Sequence, residues 1–263
     1  MPIVIAVVVI VVTVLVVAWI QDQRVQARSR RLQAEAEKLG LRRPEGSGSG
    51  NVGPGRKAPS AQEIAASRVL RNVTHFLLFA QGRSGDVVTV MEGERMHNGT
   101  PVDIALFDYV FTMPQGRYVR HWRQTVIRLS SAELDLPGFG VMPESVFERM
   151  VAHIQDRTTR ELLQGTAGVS FRGHPSFNQM MHVQGPSRSQ VRALFDESVL
   201  QFFEGGNGAV PHYNLCVEGS GDALIVYRYD REVAPENLQL FMDTAFAVYE
   251  RFAAASRRLQ EEA

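Results

Sequence analysis

Apolar and polar positions fall into two regimes along the 263-residue chain. Between Pro2 and Ile20 the sequence reads PIVIAVVVIVVTVLVVAWI, in which fourteen residues are Val, Ile or Leu and Thr13 is the only polar side chain. As a helix this run reaches roughly 29 Å, close to the ~30 Å hydrocarbon thickness of a bilayer. Valine favours strands in water, but an isolated strand in lipid leaves its backbone unpaired and a helix does not. The pattern predicts one transmembrane helix over residues 1–20. A cleaved signal peptide fits less well, because Ala18-Trp19-Ile20 is a poor cleavage site and no basic residue precedes the run.

Past Ile20 the pattern thins. Val25, Leu32 and Leu39 recur at sevens with Ala36 between the last two, and Arg28 or Ser29 stands where the other heptad apolar residue belongs. Residues 21–41 are therefore expected to form a basic juxtamembrane helix that is solvated rather than paired. Residues 42–59, RRPEGSGSGNVGPGRKAP, have the composition of a flexible linker. From residue 60 the alternation becomes that of a folded domain. Strands are expected at 74–80 and 86–92 around a Gly82-Arg83-Ser84-Gly85 turn, and at 100–113 and 118–129 around Pro114-Gln115-Gly116. Residues 134–143 read as irregular, and Pro143-Glu144 opens a helix carrying Val146, Phe147, Met150, Val151 and Ile154.

The second half repeats this order. Strands are expected at 167–171 and 178–184, followed by helical stretches at 186–195 and 198–203. Over 211–218, Tyr213, Leu215 and Val217 alternate with His212, Asn214, Cys216 and Glu218, which predicts a core face and a wet face. A turn at 219–222 leads to a strand at 223–229. Pro235-Glu236 then opens a last helix with Leu238, Phe241, Met242, Ala245, Tyr249 and Phe252 on one side. The expected class is α+β, an antiparallel sheet covered by helices over residues 60–263. The parallel between the halves raises two similar lobes, 60–160 and 161–263, as an alternative.

Charge changes this picture at one place. The totals balance, but residues 21–60 hold nine Lys and Arg against four Asp and Glu, and residues 61–263 hold nineteen against twenty-four. Arg24, Arg28, Arg30, Arg31, Lys38, Arg42 and Arg43 all follow the apolar run, so the positive-inside rule predicts an inner-membrane protein with its N-terminus outside and its C-terminal domain cytoplasmic. Arg24, Arg28, Arg30 and Arg31 are candidate contacts for anionic lipid headgroups, at about 1 kcal/mol per residue near the surface. The acidic body argues against a nucleic-acid partner. A single cysteine, Cys216, excludes a disulfide framework and suits a reducing compartment.

Candidate chemistry is sparse. His212 and Cys216 stand about 13 Å apart along a strand, too far for a nucleophile and its base. His174 and His182, with His121 or Asp108, lack metal-ligand spacing. Asp108, among apolar neighbours, is expected in a buried ion pair, for which Arg120, Arg123 and Arg128 of the next strand offer the cation, or in a turn hydrogen bond. No nucleotide-binding loop, nucleophile elbow or metalloprotease signature occurs. No catalytic residue, cofactor or metal is expected.

Several short stretches carry a resemblance: Gly99-Thr100-Pro101-Val102 with Phe107-Asp108-Tyr109, Leu136-Pro137-Gly138-Phe139, Pro143-Glu144, His174-Pro175-Ser176-Phe177, Val191 to Phe195, and Gly219-Ser220-Gly221 before Leu224 to Tyr229. Over roughly residues 76–252 the chain resembles a family of uncharacterised bacterial membrane-anchored proteins with an N-terminal hydrophobic segment and a soluble α+β domain. The resemblance implies that architecture and no activity. The leading expectation is a membrane-anchored cytoplasmic interaction or scaffold module with a protein partner. The alternative is a lipid-headgroup-associated or small-ligand sensor, and an enzyme comes third.

Overall fold

The computed structural model describes residues 25–44, 61–73, 75–115, 118–153, 168–205 and 212–262, with residues 12, 16, 19 and 23 as separate positions. Its centre is one seven-stranded antiparallel sheet in the order β1-β2-β3-β7-β6-β4-β5. Strands β1 (Arg83–His97), β2 (Thr100–Gln115) and β3 (Tyr118–Ser130) form a meander of long strands. Next to β3 lies β7 (Ala223–Tyr227), then β6 (Cys216–Gly221), β4 (Leu136–Pro143) and β5 (Met181–Gln184). Because β6 and β7 come from the end of the chain and sit between β3 and β4, the two halves share one sheet. They do not form the separate lobes 60–160 and 161–263 raised as an alternative.

Period-2 alternation assigns each strand residue to a face. In β2, Ile104, Leu106, Asp108 and Val110 point one way and Phe107, Tyr109 and Phe111 the other, and β7 splits likewise into Leu224 and Val226 against Ile225 and Tyr227. Helix α1, continuous over residues 25–38, covers the first face. It shares that face with α4 (Pro175–Met180), α5 (Arg188–Leu194), α6 (Glu197–Glu204) and the long α7 (Leu238–Glu261). The second face is covered by α2 (Ala61–Val73), a 3-10 turn (Leu77–Ala80) and α3 (Glu144–His153). The fold is a three-layer sandwich with two cores, which is why β7, read as ALIVY, is buried along its whole length.

Several expectations change. Residues 77–80 form a 3-10 turn rather than a strand, and β1 starts at Arg83, pairing with β2 instead. Residues 136–143, read as irregular, are β4, and it is a glycine of its neighbour that lets it pack closely. A Cβ on Gly219 of the adjoining β6 would lie 2.3 Å from Phe139. Residues 168–171 are not a strand, although Val169 donates to Val183 O at 2.7 Å, and of 178–184 only Met181–Gln184 is extended. Of the face of 211–218 expected to be wet, Cys216 and Glu218 belong to the second core at 0% and 1% exposed, while His212 is half-buried, Asn214 is exposed and the strand starts only at Cys216. The reason is the layer on that side, which pattern in a single strand does not report.

Candidate functional site at the α1 docking face

The most heavily bonded polar cluster forms where α1 meets the sheet. Leu32 and Ala36 are fully buried in the same core cluster as Met91, Leu106 and Ile127, which gives α1 an apolar stripe facing the core. One turn before Leu32, Arg28 enters the same stripe. Its Nη1 donates to Asp108 Oδ2, and its Nη2 donates to Asp108 Oδ1 (3.3 Å), Thr125 Oγ1 (3.1 Å) and Val233 O (3.1 Å). Thr125 Oγ1 donates to Asp108 Oδ1 at 2.7 Å and accepts from Val233 N at 2.9 Å. Glu232 adds a carboxylate 3.4 Å from Arg28 Nε. Arg28 thus ties α1 to β2, β3 and the segment before α7 through one guanidinium. Asp108 is 2% exposed, so the pair is desolvated on its acidic side and its geometry fixes the helix.

This cluster corrects two expectations. Asp108 is in a buried ion pair, but its cation comes from α1 and not from β3. The register explains it: Asp108 opposes Thr125, while Arg120 and Arg128 oppose Met113 and Ala105 and so point to the other face. Arg123 shares the face of Asp108 but engages Glu232 at 3.8 Å, and Arg120 pairs with Asp230. Residues 25–41 are not a solvated neck, because Leu32, Ala36 and Leu41 are core residues. The chain remains bonded past the helix, where Arg42 and Glu92 exchange backbone bonds of 2.7 and 2.8 Å. Of the candidate headgroup contacts, Arg28 is engaged inside the fold, Arg30 and Arg31 are exposed, and Arg24 lies outside the described residues. The expected linker beyond residue 44 and most of the expected span over 1–20 also lie outside them. Val12, Val16 and Trp19 are helical and exposed. Among the described residues no helix is long and apolar enough to cross a membrane.

A second feature is a cleft of about 220 Å³ on the other side of the sheet, lined by Phe76, Leu77, Gly140, Pro186 and Glu218. Glu218 accepts hydrogen bonds from Leu77 N, from Leu78 N at 3.1 Å and from the Tyr227 hydroxyl at 2.7 Å. Burial pushes its carboxyl up to about 7, against the pull of those three donors. With both oxygens engaged, the group holds the 3-10 turn against β6 rather than presenting itself to the cleft. A wider groove of about 860 Å³ runs between α1 and α2 beside the edge of β1, lined in part by Val25, Arg30, Arg43, Leu70, Val88 and Arg123.

The remaining candidates do not converge on one centre. His212 stacks on Phe202 with ring centroids 4.4 Å apart, and Cys216 is buried with its thiol pushed well up by burial. His174 lies between Glu204 (2.8 Å) and Glu197 (3.2 Å), and its hydrogen bond with Glu204 leads the effects that raise its pKa. His182 stacks on Phe147 at 3.6 Å, and burial lowers its pKa. His121 is exposed at the start of β3. Among the described residues no group of three or more His, Cys, Asp or Glu is placed to hold a metal ion. One cluster went unread in the sequence: Glu133 accepts from Tyr249 and pairs with His97 Nδ1, both at 2.8 Å. Its parts come from α7, the β1–β2 turn and the segment after β3, so no local spacing announces it.

The chain is thus an α+β protein built on a seven-stranded antiparallel sheet with helices on both faces. No family model and no curated protein matches it. Among solved structures, the crystal structure of the mycobacterial trehalose monomycolate transport factor A, TtfA, is similar over 86% of this chain and 93% of that one, at 11% identity and a TM-score of 0.48. That likeness is too distant to bear on the fold or the function.

Proposed function

We propose that this protein is a membrane-anchored interaction module whose domain is held in fixed orientation at the cytoplasmic face of the inner membrane. The observation that carries the reading is the Arg28–Asp108–Thr125 junction, which builds the helix following the apolar run into the sheet. A helix that leaves a bilayer and enters a core passes its orientation to the whole domain. The basic residues after the run support the same reading. The protein partner meets a surface presented in one pose. Carbonate extraction and protease protection of the full chain test the anchor. The expected result is a pellet-bound protein whose C-terminal domain is digested only when the cytoplasmic side is opened. Recovery in the soluble fraction, or digestion from outside, overturns it. For the partner, a photocrosslinker at Leu240, 65% exposed on α7, is expected to give one discrete adduct in native membranes. A second reading, an anionic-ligand or headgroup sensor, is favoured by the groove between α1 and α2, where Arg30, Arg43 and Arg123 line a mixed apolar wall.

A further inference from the structure

The β2–β3 arm outruns the sheet that supports it. Towards the hairpin end, β1 pairs with β2 as far as Arg83 opposite Thr112, and β7 pairs with β3 only as far as Tyr227 opposite Val126. Past Thr112 and His121 the register continues through Pro114 opposite Val119 and Gln115 opposite Tyr118, with no further strand beside it among the described residues. The first four residues of β3 are exposed accordingly, and the outermost two are apolar: Tyr118 is 80% and Val119 63% exposed. A two-stranded ribbon with large apolar side chains in water is marginal by itself. Inside these lie Arg120, His121 and Arg123, the first paired with Asp230 and the last with Glu232.

The direction of the arm identifies what it meets. Along α1 and the residues just after it, Leu41 lies against Gly93, Ser29 bonds to Thr89 at 2.9 Å, Arg28 bonds to Asp108, and Val25 is in the groove with Val110 and Arg123. Going back along α1 is therefore going outward along β2 towards the hairpin. Residues 23 and 19 are helical as well, and six residues from Val25 to Trp19 amount to about 9 Å of helix, the length of strand from Val110 to between Thr112 and Met113. The arm extends about 17 Å beyond Val110, so its tip passes the level of Trp19 by about 8 Å. That overshoot falls within the ~5–10 Å depth at which apolar side chains of interfacial elements sit in the headgroup and acyl boundary. Tyrosine is a residue of that boundary, and cationic residues behind it suit anionic headgroups.

We infer that the β2–β3 hairpin is a second membrane contact, inserting Tyr118 and Val119 into the same leaflet from which α1 emerges. The inference rests on the anchored reading above and adds the surface by which the domain touches the bilayer. Two contacts, one integral and one interfacial, fix the tilt of the domain as well as its distance.

The test uses the full chain with Cys216→Ala, carrying an environment-sensitive fluorophore at one of three introduced cysteines: Tyr118→Cys, Val12→Cys in the apolar run, or Met96→Cys. Met96 is 60% exposed on β1, opposite Pro101 at the end of β2 away from the hairpin. Each is reconstituted into mixed phosphatidylcholine and phosphatidylglycerol vesicles with and without brominated acyl chains. The expected result is several-fold quenching at positions 12 and 118 and none at 96. Quenching at 12 without quenching at 118 overturns the hairpin contact and leaves the anchor standing. Absence of quenching at both removes the anchor and the contact together. Equal quenching at 118 and 96 reports indiscriminate adsorption and overturns the contact. A hairpin that binds protein instead of lipid gives the second of these outcomes.

Discussion

A carboxylic acid with no water around it holds its proton more tightly, and Glu218 is such a group, raised to about 7 from an ordinary 4.5 by burial. Its folded-state pKa lies above its unfolded one, so between about pH 4.5 and 7 the folded chain binds more protons than the unfolded chain. Stability then falls as pH rises through that window and is level above it, by up to about 3 kcal/mol from this group. Denaturation at pH 5 and at pH 8 measures the difference, and Glu218→Gln is expected to remove that part of the slope while lowering stability at both values. Arg28 answers to a different rule. Removing one partner of a buried pair costs about 3–5 kcal/mol because the other charge is stranded, so Arg28→Ala is expected to lose an amount of that order in denaturant titrations of the detergent-solubilised chain. Arg28→Met combined with Asp108→Asn is expected to recover much of it. Cys216 is fully buried and its thiol is raised, so thiol reagents are expected to label it only after unfolding, with a mass shift absent from the folded protein. Asp108 was legible as a buried ion pair from its apolar neighbours alone. Its partner was not, since Arg28 reads as a break in a thin stripe and as a candidate headgroup contact, although it interrupts that stripe as Asp108 interrupts an apolar strand. Two such anomalies call for each other, and only register shows that the nearer arginines face away.

At the scale of elements, α1 belongs to the core. Leu32 has no exposed surface, and Leu32→Ala is expected to cost about 2–5 kcal/mol, where a solvated helix would lose almost nothing. Hydrogen exchange is expected to show α1 protected with the sheet, and rapid exchange across residues 28–38 would refute that docking. Strong periodicities were readable in the sequence: β2, β3, α3, α5, α6 and α7 lie close to where the pattern put them. What the pattern missed has physical causes. The glycines and prolines of LPGFGVMP suppress β propensity, yet Leu136 and Phe139 of that stretch pack over Gly219 of β6, a gain that exists only after folding. THFLLFA looks extended because it is apolar, but Glu218 caps its backbone and curls it into a turn. The alternation expected over residues 211–218 holds only from Leu215 to Glu218, and there its supposed wet side, Cys216 and Glu218, is covered by a layer that no local signal announces.

At the scale of the whole molecule, charge asymmetry and the apolar run set the expectation of a tethered body, and the sandwich takes the helix of residues 25–38 into its own core. Removing residues 1–20 is expected to shift the protein to the soluble fraction while leaving the cooperative unfolding of the sheet intact, a pair of outcomes read by fractionation and circular dichroism. The strand order has a consequence for how the protein is made. As the chain leaves the ribosome, β1, β2 and β3 can pair at once, but the partner of β3 is β7, which emerges only after β4, β5 and helices α3 to α6. Throughout that interval the inner edge of β3 offers unpaired backbone groups and the apolar run Thr125 to Leu129 to any neighbour. Insertion of the N-terminal segment during synthesis would keep nascent copies apart on the membrane plane while that edge stays open. A chain truncated before Cys216 lacks both central strands and has no route to a closed sheet.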